Sequence, residues 1–191
     1  MKIHQPTELI EDPNEALQML KDGNERFLKG ELIQKTFCCA DLEALCSCQK
    51  PFAIILTCSD SRVSPEIFFD QKLGDLFIIR NAGNIADETA LGSIEFAVEY
   101  LMCRLIVVCG HSNCGAVMAS CSNHDFPPNM KHIIDYIKPA VKKDINLEEI
   151  IINNVINEIE RIKADEIVKK HSDILITGAF YDLHSGRVSW L

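Results

Sequence analysis

Three unbroken apolar runs constrain this chain more than any other feature: "PFAIILT" (51–57), "DLFIIRN" (75–81) and "RLIVVCG" (104–110). Each has strand length, and none alternates apolar with polar residues. Such runs suit strands covered on both faces, as in a parallel sheet. Between the second and third lies "DETALGSIEFAVEYL", whose Leu91, Ile94, Phe96, Ala97, Val98 and Leu101 suit a well-buried helix. Strand, helix, strand is a crossover unit, expected to be right-handed.

Helices surround these runs. Asp12-Pro13-Asn14-Glu15 carries the signature of a helix start, and Gly30 ends that helix. The helix is strongly charged outside its apolar stripe, which suits an arm lying across a neighbour's surface. "HSNCGAVMAS" reads as a loop running into a helix, and a further helix is expected around "MKHIIDYIKPAVKK". Asn146-Leu147-Glu148-Glu149 resembles a capping box that opens a long helix to about His171. Its core face is Leu147, Ile150, Ile151, Val155, Ile159 and Ile162. "DILITGAFYDL" and "RVSWL" are final strands joined by "HSG", a hairpin signal. With no repeat, linker or low-complexity tract, residues 1–191 read as one α/β domain: a helical arm over 1–50 and a core over 51–191.

Several function classes fall away. A formal charge of −9 with no Lys/Arg cluster argues against a nucleic-acid binder. The apolar runs are far too short to span a bilayer. "MKIHQPTELIEDPNEAL" has no apolar leader, so the expected location is the cytoplasm. There the nine cysteines are not read as disulfides. No Cys-x-x-Cys supports thiol redox, and "GHSNCGA" is no P-loop because Lys-Ser/Thr does not follow. Cys38, Cys39, Cys46 and Cys48 cluster early, with a spacing unlike common zinc fingers.

Two strand ends carry the chemistry. Cys58 follows the first run, and His111 and Cys114 follow the third. Ligands of open parallel sheets collect outside the carboxyl ends of the strands, where strand order reverses. If the first and third strands are neighbours, two thiolates and one imidazole meet there. Two Cys and one His with an open fourth position is a catalytic zinc set, and soft donors favour zinc over magnesium or calcium. Asp60 and Arg62, beside Cys58, can form a charge-assisted pair that keeps the carboxylate an oriented acceptor. Released from Arg62, Asp60 could instead fill the fourth zinc position.

"CSDSR" (58–62) with "GHSNCGAV" (110–117) resembles the two signature motifs of the β-class carbonic anhydrases. "EIFFDQKLGDLFIIRNAGNI" and "SIEFAVEYL" resemble the family's intervening segment, "EALQMLKDGNERF" its first helix and "ITGAFYDLHSGRV" its closing hairpin. The resemblance implies a zinc enzyme for reversible hydration of CO2 to bicarbonate and a proton by a zinc-bound hydroxide. Cys58, His111 and Cys114 match its zinc ligands, one ion per subunit, and Asp60 and Arg62 match its catalytic dyad. Gln49 matches a glutamine that donates to the zinc-bound group, often across a dimer interface. Phe77, Ala82 and Phe96 match positions lining an apolar CO2 pocket, with Phe96 in place of a common tyrosine. The family's second bicarbonate pocket uses a Trp before the first motif. The only Trp here is Trp190, so that pocket is not expected. The resemblance also implies a homodimer or tetramer, with CO2 and bicarbonate as ligands and neither nucleic acid nor membrane as partner.

The fold expected is a mainly parallel sheet of four strands in the order 2-1-3-4, with an antiparallel edge strand, flanked by helices. Two other readings of the site stand beside the first. One is hydrolysis of another heterocumulene, CS2 or COS. The other is a non-catalytic zinc site closed by Asp60.

Overall fold

The three apolar runs form adjacent strands. In a computed structural model, which describes residues 10–33, 45–46 and 48–191, they are β1 (Ala53–Cys58), β2 (Leu76–Asn81) and β3 (Leu105–His111). With β4 (Leu175–Tyr181) they form four parallel strands, and β5 (Val188–Trp190) adds antiparallel to β4. The order is β2-β1-β3-β4-β5, as expected. Cys38, Cys39 and His4 lie outside the described residues.

Every residue of β1 and β3 is buried, as the unalternated runs require. Ile54, Leu56, Ile106 and Val108 face α3 (Glu88–Tyr100) and α6 (Leu147–Ala164) on one side. Ile55, Leu105 and Val107 face α1 (Pro13–Lys29) and α2 (Pro65–Phe68) on the other. Each such Ile or Leu contributes about 1.5–3 kcal/mol relative to exposure. β2 departs from its reading: it is half-buried along most of its length, because it is the edge strand and lacks one neighbour.

The helix ends follow their caps. Asp12 accepts from the Asn14 N–H, and Gly30 closes α1 in the left-handed region. Ala16 and Leu20 of α1 are buried against the sheet of the same chain. This part of the expected arm therefore shares the core of the sheet. The capping box at Asn146 and Glu149 opens α6 as expected. That helix does not reach His171 but stops at Ala164. Asp165 turns to an extended conformation, and its carboxylate accepts from the N–H groups of Ile167 and Val168. It thereby caps a separate short 3-10 turn at Val168–Lys170. Two short helices, α4 (Gly115–Ser120) and α5 (Pro128–Ile137), cover the carboxyl end of the sheet together with the start of α6. No helix among the described residues is long and apolar enough to cross a membrane.

Candidate metal centre

Cys58 and His111 are the last residues of β1 and β3, one position earlier than the runs suggested. Because these strands pair in parallel, with Thr57 opposite Cys109, both ends open on the same side. Cys114 then caps α4 three residues beyond His111. Cys58, His111 and Cys114 are all buried, and their ligand atoms lie within 4.8 Å of one another. The two sulfurs are 4.0 Å apart.

This arrangement fits a soft divalent metal. The His111 Nδ1 lies 3.0 Å from the Ser112 carbonyl, which can only accept, so Nδ1 carries the proton. Nε2 keeps its lone pair, is buried, and has no hydrogen-bond partner. The Gly83 N–H donates to the Cys58 sulfur at 3.5 Å. The hydrogen bond between the two sulfurs lowers the Cys58 thiol, to about 4, and raises the Cys114 thiol, so the pair holds one proton between them; the Gly83 N–H also lowers Cys58. Burial opposes the shift without reversing it. Two sulfurs and an imidazole nitrogen form a Cys2His set suited to zinc.

Asp60 stands beside this set. Its Oδ2 is 4.0 Å from His111 Nε2. Arg62 donates through Nε to Oδ1 at 2.9 Å and through Nη2 to Oδ2 at 2.7 Å, and its own N–H also reaches Oδ1. These Arg62 bonds hold the Asp60 carboxyl well below the usual carboxylate range. Arg62 is over half exposed, so the pair adds little to folding. Its consequence is geometric: a two-pronged fork fixes the plane of the carboxylate.

Residues 53–188 match the family described as carbonic anhydrase. The chain belongs to the β-class carbonic anhydrase family. A carbonic anhydrase of Mycolicibacterium smegmatis is 42% identical over 134 residues, covering 68% of this chain and 65% of that protein. A carbonic anhydrase of Pseudomonas aeruginosa is 32% identical over 169 residues, covering 78% of this chain and 77% of that protein. Among solved structures, the β-carbonic anhydrase CcaA superposes with a TM-score of 0.70 at 26% identity, covering 91% of this chain and 94% of that one.

The remaining predicted residues divide in two. Ala82 lies next to Gly83, in the loop that touches Cys58. Gln49, Phe77 and Phe96 are not brought to this centre within the chain. Phe77 pairs with Ile54, four residues before Cys58, which at about 3.3 Å per residue is roughly 13 Å along the strand. Phe96 packs beside Phe77, with ring centroids 6.3 Å apart, and stacks on Tyr100, which is 77% exposed. Gln49 is exposed and precedes the start of β1, at the opposite end from Cys58.

Several supporting residues were not singled out from the sequence. Arg80 donates to the Cys58 and Asp60 carbonyls at 3.2 and 2.9 Å, bracing the loop backbone from β2. A lone Arg closing the apolar run "LFIIR" was a readable signal for it. Ser112 is held by Asp182, at 3.2 Å, and by the Leu183 N–H. The hairpin between β4 and β5 thereby steadies the carbonyl that orients His111. Gly110 allows α6 close to β3, because a Cβ there would lie 2.8 Å from Val155 and 2.9 Å from Ile151.

Proposed function

We propose that this chain catalyses the reversible hydration of CO2 to bicarbonate and a proton, with zinc held by Cys58, His111 and Cys114. The observation that carries the reading is the Cys2His set with a fixed carboxylate, Asp60, 4.0 Å from His111 Nε2. Zinc bound by these residues supplies a Lewis acid that lowers the pKa of a coordinated water toward neutrality, as in the three-histidine site of another carbonic anhydrase class.

The chain's own residues supply the rest. Asp60 accepts a hydrogen bond from the attacking water and aims its lone pair at the carbon of CO2. Arg62 keeps Asp60 an acceptor, since both carboxylate oxygens are engaged by the guanidinium. The same engagement favours an open site over one closed by Asp60, because closure requires the fork to release. Ala82 offers an apolar contact for CO2 beside the Gly83 N–H.

Gln49, Phe77 and Phe96 complete the pocket of a second subunit, in a homodimer. Their place at the far end of β1 and β2, with Phe96 and Tyr100 exposed, supports this.

The test is CO2 hydration measured by stopped flow across pH, with zinc determined on the same sample. Hydration that rises with pH at one zinc per chain is expected. Full zinc without turnover at any pH would favour the closed, non-catalytic site. Brisk CS2 or COS hydrolysis without CO2 hydration would favour the other heterocumulene reading. A persistent monomer on size exclusion would remove Gln49, Phe77 and Phe96 from the site.

A further inference from the structure

The loop between β2 and α3 meets the centre at one atom pair, the Gly83 N–H and the Cys58 sulfur. Its other face meets α6. Asn154 Nδ2 donates to the Gly83 carbonyl at 2.9 Å, and Glu158 Oε2 accepts from the Ala86 N–H at 2.8 Å. Asn154 and Glu158 lie one helical turn apart on one face, and both are fully buried. Within the loop, Asn81 adds two bonds to Ile85, one through each side-chain amide atom.

Burial without full pairing makes this contact unusual. Among the described residues, four buried side-chain polar atoms have no hydrogen-bond partner. One is His111 Nε2. The other three, Asn84 Nδ2, Asn154 Oδ1 and Glu158 Oε1, all belong to this loop and the helix face behind it. Apolar residues would fill the space without that cost, so polar groups kept here call for a role. Gly83 itself has little room to move: a Cβ on it would lie 2.5 Å from Ile137 and 3.2 Å from Ala116.

We propose that Asn154 and Glu158 are positioning residues for the metal centre: from α6 they grip the loop at Gly83 and Ala86 and keep the Gly83 N–H on the Cys58 sulfur. The proposal rests on the reading of Cys58, His111 and Cys114 as a zinc site. A donor to a ligating thiolate withdraws charge from the sulfur and fixes its direction. Losing it changes both the metal–sulfur bond and the hold on the metal.

Glu158 does this through an acceptor oxygen on the Ala86 N–H. Its surroundings raise its pKa to about 7, first by burial. Arg161, 3.5 Å away on the same helix, opposes this, and Asp87 from the loop adds to it. Tyr136 of α5 faces the same group of charges, with the Arg161 guanidinium over its ring at 4.7 Å. Glutamine at 158 would keep the acceptor for Ala86 without the titration.

The test replaces zinc by cobalt(II) in the full-length protein. It reads the sulfur-to-cobalt charge-transfer band and the rate of zinc release to a chelator. Glu158→Ala is expected to shift the band and to loosen zinc about tenfold or more. Glu158→Gln is expected to restore both. An unchanged band and release rate in a folded Glu158→Ala would overturn the proposal, and so would an equal change in Glu158→Gln. If Glu158→Ala does not fold, Asn154→Ala decides by the same two readouts, and no change there overturns the proposal. Failure of the wild type to take up cobalt or zinc would overturn the reading of the centre, and this proposal with it.

Discussion

Cys58 and Cys109 sit on neighbouring strands of one sheet, both buried, and their chemistry diverges. Burial pushes the Cys109 thiol up to about 12, and Thr57 beside it lowers it only slightly. Cys103, two residues before that strand begins, is likewise raised to about 12 by burial. Cys58 is lowered to about 4, first by the hydrogen bond with Cys114, whose own thiol the same bond raises, and further by the Gly83 N–H. In the sheet interior burial raises each thiol on its own, whereas at the carboxyl end Cys58 and Cys114 hold one proton between them. The difference lies in the donors that loops and helix starts can place there, which paired strand backbone cannot.

The largest test of this contrast is removal of one thiol from each environment. Cys58→Ala is expected to lose stoichiometric zinc and all measurable CO2 hydration. Cys109→Ala is expected to keep one zinc per chain, by elemental analysis, at a modest cost in melting temperature. Zinc loss in Cys109→Ala would break the comparison. Next comes Asp60→Asn, which keeps shape but weakens the charged fork with Arg62. It should retain zinc and lose about 100-fold in kcat, the usual scale for a positioned proton-handling group. Full activity would remove Asp60 from the reaction.

Gly83→Ala probes the donor on Cys58. Gly83 has φ +80° and no space for a Cβ, so about 2 kcal/mol of stability should be lost, measured by urea denaturation. The smallest effect is a pH dependence. The Glu158 carboxyl has a folded pKa of about 7, raised above its unfolded value near 4.5. Between these values the native state holds the extra proton, so its contribution is full below about pH 4.5 and is lost as pH rises to about 7. Glu158→Gln should flatten the stability profile in that window, and an unchanged slope would show that Glu158 is already ionised there.

The parallel core was legible because its residues obey a local rule: strands with two covered faces read as continuous apolar runs. The half-exposed β2 followed the same rule in composition but not in burial, although the expected order 2-1-3-4 already set it at the edge, where one neighbour is missing. The meeting of Cys58, His111 and Cys114 was legible because strand ends point one way once β1 and β3 are neighbours. What was not legible came through contacts distant in sequence. Asn154 and Glu158 looked like ordinary polar positions on an amphipathic helix, and nothing local ties them to Gly83 and Ala86. The end of α6 at Ala164 depended on Asp165 turning back to cap its own successor.

Arg80 ties β2 to the backbone of the loop carrying Cys58 and Asp60, and Asn81 bonds twice to Ile85 and once, through its carbonyl, to Ser59. An edge strand ordinarily frays along its whole length. Here the side-chain bonds of Arg80 and Asn81 fasten the carboxyl end, beside the centre, in addition to the pairing with β1. Backbone amides of β2 near Asn81 should therefore exchange with solvent deuterium as slowly as those of the central strands.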